Sequence, residues 1–544
     1  MIAQELRTLV TAWIEDDPDI KTAELLQHYL DTENEAELKS SFSGFLEFGT
    51  AGLRGALGPG PSRMNRAVVG RTAAGLAEFM KSRNLDSIVI GRDARYGSED
   101  FTNDTAEIMA GAGFKVFVLP RPLPTPVIAY AVTALKVGVG VMVTASHNPA
   151  QDNGYKVYLG GVVDEINYNG SQIISPTDVT ISSEIAKINS LKEVSRSTNW
   201  KVLDEAIVSR YVTDTAKIVT PGSNLKVVYT AMHGVGTKTL LSVFAAADFA
   251  TPILVSAQAD PDPDFPTVSF PNPEESGALN LALETAKNCD ADIVIANDPD
   301  ADRCAVAIKS DGGWRMLRGD EVGAILGESI ASAGATGTFA NSIVSSAILR
   351  KIANHYGLNF AETLTGFKWL AKIPNLTFGY EEALGYCVDS AAVNDKDGIS
   401  AALKIVEIAS NLANSKSSLS RYLDEIWLKY GYHATAQVSL RVSDLSKIAL
   451  IMERFRNHTP TEIAGEKVNN FSDLARPENG FPATDCIRFW LGESARIIIR
   501  PSGTEPKVKC YIEVVKMGEV AAAKSAADSQ IETLRQALTK LLVG

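Results

Sequence analysis

Cysteine is scarce in this chain: five residues among 544, at positions 289, 304, 387, 486 and 510, in an odd number and without a CxxC pair. That excludes a disulfide-stapled scaffold and points to a reduced, cytoplasmic setting. Positive charge is in deficit, with 52 Lys and Arg against 65 Asp and Glu and a net charge of -13. Bulk attraction to nucleic acid or to an anionic membrane is thereby excluded, while local basic pockets for small phosphates are not. Long apolar runs are missing as well. The nearest, Pro126 to Ser146, is split by Lys136 and crowded with glycine in its second half. It falls short of the about 20 uninterrupted apolar residues a spanning helix needs and reads as a helix followed by a buried strand. The first residues carry Glu5, Arg7, Glu15, Asp16 and Asp17, which leaves no apolar signal core. Two catalytic signatures are also absent: there is no GxxxxGK phosphate loop and no GxSxG elbow.

What is present is ordinary in bulk, 45% hydrophobic and 22% charged, and long enough for roughly three or four domains. Three stretches share a plan of apolar strand, helix and second strand. The first runs from Ser87–Ile90 through a helix ending near Gly113 to Phe114–Val118. The second runs from Lys226–Tyr229, with a helix from about Thr237, to Pro252–Val255. The third runs from Gly337–Ala340, with a helix over Ser345–Tyr356, to a strand near Phe360. Alternation of this kind predicts parallel sheets with right-handed crossovers, repeated three times. Residues 160 to 200 read as loop and helix closing the first repeat. The last 110 residues differ. Strand-like Gln437–Leu440 and Arg496–Ile499, a turn-rich polar stretch from His458 to Asp485, and a final helix after Glu519 predict a smaller α+β domain. The expected domains are 1–205, 206–315, 316–430 and 431–544.

The residues with chemistry to offer sit in loops. Asp298-Pro299-Asp300-Ala301-Asp302-Arg303 follows the apolar run Ile293–Ala296. In an extended chain residues two apart point the same way, so three carboxylates would face one point and suit a hard cation such as Mg²⁺. A calcium loop is excluded, because its glycine and final glutamate positions hold Arg303 and Lys309. Ser146 and His147 follow the apolar run Val137–Val143, where ligands collect at the carboxyl ends of buried strands. Ser146 alone is equally a turn serine, and neighbours such as Ser146 and His147 commonly point apart. Asn153-Gly154 predicts a turn that returns Lys156 to the serine loop. There a desolvated lysine serves acid–base chemistry. Arg500, Ser502, Gly503, Thr504 and Lys507 combine cations, hydroxyls and a bare backbone, a phosphate cradle without a P-loop helix. Glu381 and Glu382 lie between Gly379 and Gly385, and carboxylates accept well from sugar hydroxyls. Lys368 and Lys396 add two cations in the same third of the chain.

Five segments in order, Phe48–Gly55, Thr144–Pro149, Asp298–Arg303, Glu381-Glu382 and Arg500–Thr504, resemble the α-D-phosphohexomutase superfamily. Their flavour is that of its phosphoglucomutase-2-like and phosphopentomutase-like branch. The resemblance spans nearly the whole chain. It implies four domains, three related α/β domains with mixed, mostly parallel sheets and a C-terminal α+β domain, round a central cleft. It also implies a phosphoserine at Ser146 and Mg²⁺ held by Ser146, Asp298, Asp300 and Asp302. Arg303 and Arg54 would hold phosphate oxygens, and Lys156, Lys396 and His147 are the acid–base candidates. Lys368, Glu381 and position 383 would line the sugar site, and Arg500, Ser502, Gly503 and Thr504 would grip the distal phosphate. The implied reaction interconverts a sugar 1-phosphate and a sugar 6-phosphate, glucose first, through a sugar 1,6-bisphosphate that also serves as activator. Phosphomannomutase and phosphopentomutase chemistry are the alternatives, and a Mg²⁺-dependent sugar phosphatase is the alternative of another class. The partner expected is a small phosphosugar, with no nucleic acid and no membrane, for a monomer or small homo-oligomer. One departure stands out: many members have serine where this chain has Ala383, which removes a hydroxyl contact and makes a pentose phosphate more plausible.

Overall fold

The computed structural model describes residues 2–222, 225–310, 312–442, 446–476, 481–502 and 507–543. They form two compact units: residues 1–317 with 383–414, and residues 318–382 with 415–544.

The first unit holds two sheets. The larger has strand order Leu53–Ala56, Asp152–Leu159, Val139–Val143, Ser87–Arg92, Lys115–Val118 and Lys201–Val202, with Ser171–Gln172 paired to Asp152–Leu159. Its centre is parallel and its Asp152–Leu159 side antiparallel. All five residues of Val139–Val143 are buried, as befits a strand covered on both faces. Helices Ser98–Gly111 and Thr125–Leu135 pack against its strands, and helix Arg66–Ser82 packs on Ser98–Gly111. Arg66–Ser82 starts where Asn65 Oδ1 accepts from Val68 N at 2.9 Å, a side-chain cap. Thr125–Leu135 has proline in its first turn and ends at Lys136, with φ 55°; the apolar stretch is thus a helix and then a strand, as its pattern predicts. No helix among the described residues is long and apolar enough to cross a membrane.

The second sheet runs Ile253–Leu254, Val227–Thr230, Ile293–Ala296, Ala305–Ser310, Gly313–Met316. Helix Asn280–Asn288 closes one face over a cluster of Val228, Ala282, Ala286, Val294 and Ala307. Three N-terminal helices, Gln4–Asp16, Ile20–Asp31 and Glu35–Ser41, precede both sheets; the sequence reading did not anticipate them.

In the second unit, Thr338–Ser342 lies between Asn359–Thr363 and Leu376–Glu381, parallel to both. A six-stranded sheet runs Tyr432–Arg441, Lys507–Lys516, Ala495–Pro501, Ile487–Leu491, Glu466–Asp473, Glu462–Ile463, with antiparallel pairing throughout. Helix Val520–Val543 follows it. Ile343, Val344, Leu364, Leu474, Cys486, Ile498 and Tyr511 form one core across these segments.

All three strand–helix–strand units form, with helices Ser98–Gly111, Gly236–Ala246 and Ile348–His355. One stretch holds an element its turn signals did not show, and one local reading needs correction. The polar stretch from His458 to Asp485 contains a strand, Glu466–Asp473, and is not only turn. It lies next to the sheet edge, with Lys467, Asn469 and Asn470 exposed and no residue fully buried, and Phe471 anchors it by packing 5.4 Å from Phe489. Asn153-Gly154 is not a turn; both residues lie inside the strand Asp152–Leu159. Asn153 Nδ2 donates to Tyr96 O at 2.8 Å and Ser98 Oγ at 3.0 Å. A Cβ at Gly154 would sit 2.5 Å from Thr144 O. Tertiary contacts thus use both residues for purposes a turn would not require.

Candidate active site

The register of the hairpin Val139–Val143 and Asp152–Leu159 places Lys156 opposite Met142, four residues before Ser146. Lys156 Nζ meets Asp300 Oδ2 at 2.7 Å and Asp302 Oδ2 at 3.0 Å. Lysine and serine loop therefore converge as expected, by strand pairing and not by the turn invoked for it.

The aspartate segment departs from its expected shape too. It is a turn, not extended chain: Ala301 N donates to Asp298 O at 2.8 Å, and Ala301 has φ 53°. The carboxylates converge regardless, with one oxygen from each of Asp298, Asp300 and Asp302 within 4.8 Å of the others. Thr125 Oγ1 donates to Asp300 Oδ2 at 2.6 Å, and Arg303 N donates to Asp298 Oδ1 at 3.1 Å. Strand Ile293–Ala296 delivers this turn at its carboxyl end.

Ser146 is 3% exposed and sits at φ 53°, a left-handed conformation uncommon for a side-chain-bearing residue and concentrated at functional sites. Its Oγ donates to Asp298 Oδ2 at 2.9 Å. His147 does not point away: its Nδ1 lies 3.1 Å from Ser146 Oγ. Arg54 Nη1 reaches Asn148 Oδ1 at 3.4 Å. Arg303 Nε lies 3.9 Å from Asp298 Oδ2. Lys396 Nζ is 3.2 Å from Asp302 Oδ2, and a Cβ at Gly385 would overlap the Lys396 stem at 2.2 Å. Glycine at 385 is what lets that lysine pass.

Charge in this cluster is partitioned. Burial, then Asp300 and Asp302, push the Asp298 carboxyl well above the usual carboxylate range. Burial acts on Asp302 in the same direction, yet Lys156, Lys396 and Arg303 hold it well below that range. Burial opposes the Lys156 charge, and Asp300 with Asp302 overcome it and hold the ammonium protonated. Burial first, then Arg303 and Arg54, pull the His147 imidazole well below its usual range, so the ring stays neutral beside these cations. Asp300 Oδ1 and Asp302 Oδ1 are buried without a hydrogen-bond partner. Three converging carboxylates with unsatisfied buried oxygens fit a hard divalent cation with all-oxygen ligation, Mg²⁺ in kind.

The other predicted residues lie in the second unit. Glu381 Oε1 accepts from Gly366 N at 2.7 Å, next to half-buried Lys368 at the start of the short helix Phe367–Leu370. Glu382 turns instead to Ser342 Oγ at 3.1 Å and Ser345 Oγ at 3.0 Å. Burial, then Glu381 and Asp320, raise its carboxyl to about 7. Arg500 is the penultimate residue of the strand Ala495–Pro501, and Ser502 N donates to Lys507 O at 2.8 Å. Gly503 and Thr504 lie outside the described residues. Ala383 opens the segment 383–414 that returns to the first unit.

Sequence reasoning passed over Asp93 and Arg95. Arg95 is buried and donates to the backbone of the serine loop, at 2.7 Å to Ser146 O and 2.6 Å to Asn148 O. The available signal was a charged pair, Asp93 and Arg95, directly after the buried strand Ser87–Arg92.

Comparison with known proteins accords with this geometry. The models of the phosphoglucomutase/phosphomannomutase alpha/beta/alpha domains I, II and III match residues 46–192, 209–313 and 318–430, and that of the C-terminal domain matches 441–528. A probable phosphomannomutase of Haemophilus influenzae is 48% identical over 457 residues, 83% of this chain and 93% of that protein. The phosphopentomutase of Homo sapiens is 36% identical over 562 residues, 92% of this chain and 90% of that protein. Among solved structures, a putative phosphomannomutase from Thermus thermophilus shares the fold, with a TM-score of 0.72 at 21% identity over 92% of this chain and all of that one. The chain is a phosphomutase and belongs to the phosphoglucomutase/phosphomannomutase family, in the phosphoglucomutase-2-like branch of the α-D-phosphohexomutase superfamily.

Proposed function

We propose that the protein moves a phosphoryl group between C1 and the terminal carbon of a phosphosugar through a phosphoserine at Ser146. The observation that carries this reading is Ser146 Oγ held 2.9 Å from Asp298 Oδ2, at the mouth of a carboxylate triad answered by Lys156. Asp298, Asp300 and Asp302, with Ser146, would hold Mg²⁺. When bound, the ion offsets negative charge on the phosphoryl group, where positioning and electrostatics supply most of the catalysis. Arg54 and Arg303 orient phosphate oxygens. As the Ser146 O–P bond breaks, Ser146 Oγ takes a proton from an acid of this cluster, with Lys156 the candidate, while a sugar hydroxyl forms the new O–P bond and gives its proton to a base of the cluster. His147, whose Nδ1 lies 3.1 Å from Ser146 Oγ, is the candidate placed nearest the reacting oxygen. Lys156, held protonated by Asp300 and Asp302, and Lys396, 3.2 Å from Asp302 Oδ2, are the candidate donors when the phosphate returns to Ser146. The sugar 1,6-bisphosphate formed in between turns over before that return, which is why the same compound primes an unphosphorylated enzyme. Lys368 and Glu381 would hold sugar hydroxyls, and Arg500, Ser502, Gly503 and Thr504 the distal phosphate.

For the sugar we place glucose 1-phosphate first. Mannose 1-phosphate follows because of the Haemophilus influenzae relative, and ribose 1-phosphate because of the human one and of alanine at 383. The test is a coupled assay with Mg²⁺ and catalytic glucose 1,6-bisphosphate on all three sugars, with free phosphate followed in parallel. Isomerised sugar phosphate without free phosphate supports the mutase, and the order of kcat/KM assigns the sugar. Free phosphate alone replaces it with a phosphatase. We place the enzyme in the cytoplasm, as a monomer or small homo-oligomer.

A further inference from the structure

Arg95 is 5% exposed and lies between the strand Ser87–Arg92 and the helix Ser98–Gly111. Its guanidinium serves four carbonyls of a single loop. Nη2 donates to Ser146 O at 2.7 Å and Asn148 O at 2.6 Å, and Nη1 to Pro149 O at 2.8 Å and Asp152 O at 3.1 Å. The fork is itself held. Nε lies 3.4 Å from Asp93 Oδ2, and the guanidinium rests 4.9 Å from the Phe265 ring centroid. Asp93 Oδ1 accepts from Arg95 N at 3.0 Å and Ser98 Oγ at 2.8 Å. Asp93 N donates to Val143 O at 3.1 Å, the last residue of the strand that presents the serine. The clamp and the loop it clamps are thereby referenced to one strand.

We propose that Arg95 is a positioning residue for phosphoryl transfer, holding the loop 146–152 so that Ser146 keeps its left-handed backbone and its Oγ stays between Asp298 and His147. The inference rests on the phosphoserine reading above. Nothing in the loop's sequence would impose φ 53° on a serine; such conformations persist where surroundings over-determine them. Four charge-assisted hydrogen bonds from a rigid planar donor do so, and lysine, a point charge on a flexible stem, cannot reproduce two forks at once. Arg95 touches loop carbonyls, so its loss displaces the reacting oxygen without removing a substrate contact. The expected signature is a fall in kcat with KM unchanged.

The test compares Arg95→Ala and Arg95→Lys with the unmodified enzyme. Steady-state kinetics on the best sugar 1-phosphate, thermal melting, and intact-mass detection of Ser146 phosphorylation from glucose 1,6-bisphosphate are the readouts. A displacement of about an ångström costs on the order of 100-fold in rate, and we expect that loss in kcat for both variants. Guanidinium chloride at millimolar concentration should restore part of it to folded Arg95→Ala, whereas sodium chloride should not. If Arg95→Ala does not fold, Arg95→Lys carries the kinetic comparison. Wild-type kcat in a folded variant overturns the proposal. So does a loss of kcat that only tracks the loss of folded protein. Unmodified protein that takes no phosphate on Ser146 overturns the phosphoserine reading and this inference together, whereas phosphorylated enzyme indifferent to Arg95 overturns this inference alone.

Discussion

Ser146 and Lys156 show what single side chains contribute and what a sequence displays of it. Their types and flanks were legible, because a serine after a buried strand and an acidic triplet are unusual enough to be noticed. Their relations were not: the contact of Ser146 Oγ with His147 Nδ1 depends on a backbone at φ 53°, which no propensity favours for serine. Arg95 was invisible for the opposite reason, since an arginine after a strand looks like any solvated turn. Replacing Ser146 by alanine should abolish mutase activity while circular dichroism and melting stay near those of the parent, because the side chain makes few contacts beyond the site. Lys156→Met should behave differently. It leaves Asp300 and Asp302, both buried, with less compensating charge. Breaking a buried ion pair costs about 3–5 kcal/mol, so urea unfolding should show a loss of that order, diminished when Mg²⁺ is added.

Elements carried the strongest sequence signal. Three strand–helix–strand units were readable because apolar strands buried on both faces and amphipathic helices differ in period. Glu466–Asp473 was not, because a near-edge strand needs few apolar residues. Asn153-Gly154 was misread because close approach by Thr144 O and Leu53 O demands glycine for a reason outside the segment. Gly154→Ala should therefore cost about 1–3 kcal/mol of stability through overpacking against backbone, measured by chemical denaturation. A second prediction concerns helix Gly398–Asn414. Asp397 is 2% exposed and caps this helix, accepting from Ile399 N at 2.9 Å and Ser400 N at 3.1 Å, while Tyr211 OH donates to both its oxygens. Burial raises its carboxyl from 3.8 to about 6. The folded state thus holds a proton that the unfolded state releases. This contribution to stability is fully present below the unfolded value and is lost as pH rises from 3.8 through about 6. Asp397→Asn should flatten that part of the stability profile, and a flat parent profile in the same window would refute the assignment.

At the scale of the molecule, the family was legible because five separated segments kept their order, whereas the grouping of the chain into units was not. Proximity of Lys396 to Asp302 depends on a segment that returns after a long excursion, and spacing alone does not announce such a return. Mg²⁺ should raise the melting temperature saturably, since a ligand at 100 times its Kd adds about 2.7 kcal/mol. Chelation should abolish activity, and Asp300→Asn should remove the shift. The excursion has a consequence for biosynthesis. The first unit ends its first stretch at Leu317 and is completed only by 383–414. At roughly 5–20 residues per second, several seconds separate emergence of Leu317 from the ribosome and that of Asn414. During this interval the nascent carboxylate triad waits without Lys396, with Lys156 already in hand to balance it. Synthesis of the segment 383–414 therefore supplies both the last stretch of the first unit and the second lysine beside Asp302.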